Sequence, residues 1–345
     1  MSVFNQMKHY LAVQRRSGNF SVSRHVDKMN QNGKMANYQA IYSDNSYKTH
    51  LSRAMNFSDW VKENHAEIKD FRAINKDLAS EYLAYQKEYG GRNDGPASAH
   101  TLSADATMLN HVFVGTNLWD SPLRKSDIAD MPKRSLDTIV NNRSLTSNEW
   151  LERHETLYVR NEQLIDTARA FGLRRSELIA GGRYDRALNT GSFFINEAGK
   201  LSVATVGKGG KYRLAEVTEE YAPKMRVYYA QYARPISELP EEKEFKENLG
   251  HYERFFSQNN HDIPIHIHRA YYAQTKFDEI NRQYRGQNDV YKKITYDRNG
   301  QKVIRSVSGS EQIKIGTKEG SYGAFMQVSE NLGHNRLDVL NNYLK

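Results

Sequence analysis

Five short motifs fall in one order along the second half of the 345-residue chain, and each carries side chains able to handle phosphate. They are FGLRRSEL at 171–178, VGKGGKYR at 206–213, His266-Ile267-His268-Arg269, Leu332-Gly333-His334, and Tyr343, nine positions after that histidine. The guanidinium groups of Arg174, Arg175 and Arg269 stay charged and bind phosphate oxygens two at a time. Lys208 stands between glycines, which let the backbone turn tightly and leave the long side chain free to enter a narrow site. The imidazoles of His266 and His334 can take, hold or give a proton. A phenol such as that of Tyr343 can attack an electrophile and carry it covalently.

Taken singly, each motif has a plainer reading. GLRRSEL reads as a helix start with solvated arginines. GKGG reads as a bare turn, and not as a P-loop, because no serine or threonine follows the lysine and the upstream glycine is missing. His261, His266 and His268 fit no zinc-helix spacing. One tyrosine near the end of a chain with 22 of them reads as packing. The order and the final spacing are what the plain readings leave unexplained.

In combination these motifs resemble the tyrosine recombinase (phage integrase) family. Its members carry an arginine in a GLR-x-SEL box, a lysine in a β-hairpin, an H-x-x-R box, an LGH box and a tyrosine nine residues on. The resemblance is strong over 145–345 and looser over 46–125. It implies that Tyr343 is the nucleophile, leaving a 3′-phosphotyrosyl link and a free 5′-hydroxyl, and that Arg174 and Arg269 clamp the non-bridging oxygens. It further implies that His266 takes the tyrosine proton, His334 hydrogen-bonds the phosphate and Lys208 protonates the leaving oxygen. Glu177 is expected to brace Arg174 and the hairpin, and Arg175 is the rival for the clamp. The chemistry calls for no metal and no cofactor. The implied activity is site-specific DNA recombination, for integration, excision, inversion or resolution. The implied partner is double-stranded DNA with an inverted-repeat core site, bound by a homodimer to tetramer with accessory DNA-bending proteins. The alternatives are a catalytically silent DNA-binding relative and a type IB topoisomerase-like enzyme. Two departures stand out: a basic, hairpin-like insertion over 281–320, and a chain that ends two residues after Tyr343. Against the family pattern, the second leaves open how protomers couple: the insertion is expected either to supply that contact or to lie on DNA.

The elements that must position these groups follow from periodicity and punctuation. A short helix is expected around Phe4–Arg16, followed by a polar stretch, so that 1–45 forms a basic N-terminal arm. SYKTHLSRAMNFSDWVKENH sets Leu51, Met55, Phe57, Trp60 and Val61 on one helical face. NKDLASEYLAYQKEYG repeats Leu78, Tyr82, Leu83 and Tyr85, and SAHTLSADATMLNHVFV supplies a third helix. A linker over 126–144, with Pro132, leads to a second unit, where Thr146 or Ser147 caps a helix. Residues 192–217 alternate like strands, helices return in EKEFKENLGHYERFFSQ and HRAYYAQTKFDEINRQY, and Asn299-Gly300 marks a hairpin turn. A last helical stretch runs through GAFMQVSENLGHNRLDVLNNYLK. The expected fold is multidomain, α and α+β. A small all-helical core-binding (SAM-like) domain over 46–125 precedes a mixed, mainly helical catalytic domain over 145–345 with a small antiparallel sheet.

The formal net charge is +8, and its distribution suits a polyanion. Residues 1–45 hold six basic side chains (Lys8, Arg15, Arg16, Arg24, Lys28, Lys34) against two acidic ones. Residues 281–320 hold nine against four. Arg15, Arg16, Lys211, Arg213, Lys292 and Lys293 are the candidate DNA contacts. With no cysteine, disulfides and thiolate metal sites are excluded. No apolar run approaches the roughly 20 residues of a membrane span, and no leader-like segment opens the chain. The expected place is the cytoplasm of a bacterial cell, at the nucleoid.

Overall fold

The computed structural model describes residues 2–15, 38–91, 95–124, 127, 132, 145–180, 187–207, 211–257, 263–284, 286, 289–296, 302–334 and 337–344. They form two compact units, Met1–Ser135 and Leu136–Lys345. No helix among the described residues is long and apolar enough to cross a membrane.

The first unit is helical. Ser2, Ser43, Asn75 and Ser98 each turn a side-chain oxygen onto a first-turn N–H. They start α1 (Val3–Val13), α2 (Asp44–Asn64), α3 (Lys76–Tyr89) and α4 (Ala99–Phe113). Each such cap is worth about 1 kcal/mol. Phe57, Trp60 and Val61 of α2 meet Leu78, Tyr82 and Leu83 of α3 and Leu109, Val112 and Phe113 of α4 in one core. Met55 and Tyr85, expected on those faces, are 46% and 42% exposed, each lying off the apolar stripe of its helix. The reading of 1–45 as an arm is corrected for its described part. Val3, Met7 and Leu11, at four-residue spacing on α1, sit in the same core, as does Ile41. Arg15 ends this packed segment in a salt bridge to Asp44, at 2.6 Å. Arg16 and the polar stretch after it lie outside the described residues.

The second unit opens with the capping box of Thr146 and Glu149 on α5 (Ser147–Arg153), followed by α6 (Glu155–Arg160) and α7 (Glu162–Phe171). A one-turn helix, α8 (Arg175–Leu178), leads towards strands β1 (Phe193–Ile195), β2 (Leu201–Val206) and β3 (Tyr212–Glu216). These three pair antiparallel, but β4 (Arg234–Pro235) joins β1 in parallel, so the sheet is mixed rather than antiparallel throughout. Both faces are covered. Phe193, Val203 and Ala215 join the main core, while Phe194, Ala204 and Val206 meet Phe245 and Leu249. That accounts for the uninterrupted burial of β2.

Between β3 and β4 stands α9 (Ala222–Tyr229), started by a proline at its N-terminus, where a missing N–H costs nothing. The helix expected over EKEFKENLGHYERFFSQ is cut short to α10 (Glu242–Asn248). Beyond it the backbone pairs elsewhere: Thr190 N–H donates to Glu253 O and Phe255 N–H to Leu188 O. Helix α11 (Ile265–Gln283) packs on α7. Two hairpins follow, β5 (Val290–Tyr296) with β6 (Lys302–Ser308), and β7 (Gln312–Ile315) with β8 (Lys318–Ser321). Helix α12 (Tyr322–Asn331) and a 3-10 helix at Leu337–Asn342 close the unit, packed on α11 through Phe325, Val328, Leu340 and Leu344. The expected continuous final helix is broken because Gly333 adopts φ 69°, a left-handed conformation.

Candidate active site

Helix α7 ends on Gly172 at φ 58°, and the chain then turns so that Arg174 caps α8. The Glu177 carboxylate reaches back to the Arg174 N–H at 2.7 Å and to Arg174 Nη1 at 2.6 Å. The Oε2 atom that takes the Arg174 N–H also accepts from Arg213 Nη2 at 2.7 Å and lies 3.8 Å from Arg269 Nη1, while Oε1 takes Arg174 Nη1. Burial pushes this carboxyl up, but Arg213, Arg269 and Arg174 outweigh that and hold its pKa down at about 2. One buried carboxylate therefore serves three guanidinium groups, leaving a formal surplus of two positive charges. Backbone carbonyls take several further donors, while Arg213 Nε is buried without a hydrogen-bond partner among the described residues. Arg269 donates to Gly172 O and Leu332 O, Arg174 to Leu332 O at 3.2 Å, and Arg213 to Asn331 O. Dipoles ease a buried charge without cancelling it, so this arrangement suits an anion with several oxygens.

The spacing of the H-x-x-R box puts His266 and Arg269 on one face of α11. Arg269 is wholly buried, and its Nε donates to Tyr343 Oη at 3.3 Å. Burial, then Arg213, draws its pKa down to about 10, so it stays charged at neutral pH. The His266 ring lies 5.3 Å from the Tyr343 ring, and the His334 ring 6.1 Å from it. Arg174 Nη2 donates to His334 Nε2 at 3.3 Å, which assigns the proton of that ring to Nδ1. Burial first, then Arg269, Arg174, Arg213 and Lys211, pull the His334 pKa down to about 4, so the ring is neutral near pH 7. Tyr343 itself is 5% exposed. Its carbonyl accepts from Gln274 Nε2 at 3.0 Å, and Leu340 and Leu344 on either side are fully buried.

Five of the six residues expected to do chemistry thus converge: Arg174, His266, Arg269, His334 and Tyr343. Lys208 lies outside the described residues. The base of its turn is at the site, since a Cβ on Gly207 would fall 2.7 Å from Glu177 Oε1 and 2.9 Å from Arg174 Nη1. Arg175, the rival for the clamp, turns away to Ile263 O at 3.2 Å. His268 faces the opposite side of α11, buried against Trp150 and hydrogen-bonded to Ser147 Oγ at 2.8 Å. Arg169 binds the same hydroxyl at 2.5 Å and Tyr221 Oη at 2.5 Å, tying the back of α11 to α5.

One candidate DNA contact lies inside the site rather than on the surface. Arg213 is 7% exposed and spends its charge on Glu177, so it belongs to the interior of the site. The alternation of β3 carried the signal, because Arg213 shares the inward face with Ala215. Lys211, Lys292 and Lys293 are exposed.

No protein-family model matches the sequence, and no curated protein matches it. Among solved structures, the chain is similar to XerH site-specific recombinase bound to palindromic difH substrate, a post-cleavage complex. The identity is 13% and the TM-score 0.45, covering 99% of this chain and 90% of that one. The pre-cleavage complex of XerH with difH gives 13% and 0.45, covering 99% and 91%.

Proposed function

We propose that the chain is a tyrosine recombinase that breaks and rejoins double-stranded DNA at a defined site through a phosphotyrosyl intermediate. The observation that carries this reading is the placement of one phenol against a cluster of arginines whose charge is incompletely neutralised. Tyr343 Oη lies 3.3 Å from Arg269 Nε, the His266 and His334 rings lie 5.3 and 6.1 Å from its ring, and Arg174 donates to His334.

A phosphodiester enters beside Arg174, the arginine of the cluster that keeps 22% of its side chain exposed. Its non-bridging oxygens take N–H donors from Arg174 and Arg269, and the Nε of Arg269 exchanges Tyr343 for phosphate. Charge grows on those oxygens as the transition state forms, so the clamp tightens where it counts. The Tyr343 oxygen bonds to phosphorus, its proton passes to His266, and the bond from phosphorus to the 5′-oxygen breaks. Lys208 supplies the proton that leaves a 5′-hydroxyl. His334, neutral at pH 7, hydrogen-bonds the phosphate without adding charge. The covalent link conserves the energy of the diester, so attack by another 5′-hydroxyl reseals the strand without ATP. Inverted repeats around the core site, and two to four protomers acting on it, complete the reading.

A duplex nicked near the scissile phosphate loses its short leaving strand and traps the adduct. Wild-type protein gives a protein–DNA band stable to denaturant, while Tyr343→Phe binds the same duplex and gives none. A stable band from Tyr343→Phe refutes the assignment.

A further inference from the structure

Strands β5 and β6 form a two-stranded sheet of their own, paired over seven registered positions from Val290↔Ser308 to Tyr296↔Lys302. At about 3.3 Å per residue such a ribbon is roughly 20 Å long. A lone pair of strands is marginal in water, so it depends on its base. There Tyr291 packs on Tyr322 with ring centroids 5.7 Å apart, and Val307 is 6% exposed. Gly309 donates to Asp289 O and Gly323 to Gly309 O, at 2.7 and 2.9 Å.

Side chains alternate between the two faces of the ribbon. Tyr291 and Val307 share a face with the next pair outward, Lys293 and Arg305, which are direct cross-strand partners. Like charges placed opposite each other destabilise a strand pair. No carboxylate among the described residues forms an ion pair with Lys292, Lys293 or Arg305. The neighbouring ring of Tyr322, 6.0 Å from Lys293 Nζ, eases one of the charges only. A marginal ribbon that keeps two facing cations suits a partner that places an anion between them.

We infer that the β5–β6 ribbon is a second contact with duplex DNA, in which Lys293 and Arg305 hold backbone phosphates as a pair. The inference rests on the recombinase reading for its biological setting, and on the ribbon's own geometry and charge for its chemistry. A two-stranded ribbon fits the major groove, about 12 Å wide. Tyr322 at the base opens α12, and His334 follows the other end of that ten-residue helix. A helix of that length spans about 15 Å, which separates the ribbon's base from the phosphate-handling loop by a few base pairs of duplex.

The test uses the full chain and a generic 40-base-pair duplex, with binding followed by fluorescence anisotropy across a salt series. Lys293→Thr with Arg305→Thr removes both charges and installs strand-favouring residues. The expected result is at least a tenfold loss of affinity at low salt and a log–log salt slope shallower by about two units. The melting temperature should hold or rise, because the repulsion is gone. Unchanged affinity and slope in a folded variant overturn the inference. So does intact DNA affinity combined with lost self-association on DNA, which makes the ribbon a protein contact. The covalent band of Tyr343 is scored separately on the nicked duplex. Failure of that band in wild-type protein, with the ribbon's effect on the slope intact, refutes the recombinase reading and leaves the ribbon as a DNA contact.

Discussion

Replacing Glu177 by glutamine removes one negative charge from the centre of three buried guanidinium groups and changes almost nothing in shape. The amide keeps an oxygen for the Arg174 N–H, which now lies 2.7 Å from the carboxylate. It cannot neutralise Arg174 and Arg213 at 2.6 and 2.7 Å, or Arg269 at 3.8 Å. The carboxyl is fully buried, and its pKa falls from 4.5 to about 2 on folding. At 1.36 kcal/mol per unit, that shift corresponds to roughly 3 kcal/mol of stability at neutral pH. Breaking a buried pair from one side typically costs about 3–5 kcal/mol, which agrees. The folded pKa is depressed, so the stabilisation is complete above pH 4.5 and is lost as pH falls from there through about 2. Urea unfolding at pH 7, followed by circular dichroism, should show Glu177→Gln weaker than wild type by about 3–5 kcal/mol. Hydrogen exchange should place the loss in residues 171–178 and 211–217. Sulfate should restore the variant more than it stabilises wild type, since the surplus charge has grown from two to three. A penalty under about 1 kcal/mol, or equal response to sulfate, would show that this carboxylate does not neutralise the arginine cluster.

Met7 is fully buried in the first unit. Met7→Ala should cost that unit about 2–5 kcal/mol in denaturant unfolding, and a change under 0.5 kcal/mol would return α1 to the role of an arm. Burial first, then His111 and Arg53, lowers the His50 pKa to about 4, and burial, then Arg169, lowers that of His268 to about 3. Both rings fold neutral, so their contribution is whole above pH 6.5 and is lost as the pH falls from there towards 4. The melting temperature should drop across that window, and less steeply in His50→Gln; parallel curves would refute the assignment. Gly333→Ala must hold φ near 69° and places a Cβ 2.7 Å from Arg213 Cδ. It should slow formation of the covalent band at least tenfold while DNA affinity stays within twofold, and a normal rate would show that the turn is not needed.

Much of the site could be read before any fold was known, because its motifs are local. Glycine at 172 and 333, the three-residue spacing of His266 and Arg269, and the Thr146 cap each state a backbone or helix-face requirement within a few positions. The helices of the first unit and the β5–β6 strands likewise follow from periods of about four and two. What sequence alone left open was the fate of charges and of the chain's opening. Arg213 looked like a surface cation, yet Glu177, 36 positions earlier, and Asn331, 118 later, draw it inside. Lys276 is 1% exposed for the same reason, held by Val217 O and by Glu279. Residues 3–13 looked like part of an arm until helices formed by residues 44–113 supplied a core for Met7 and Leu11. Strand β4 pairs in parallel with β1 across some 40 positions, which no local pattern announces. Caps, turns and periodicity are short-range properties and were written in the sequence. Whether a charge is buried, and against what, depends on partners that only tertiary packing brings within 3 Å, and that packing decided the interior of this site.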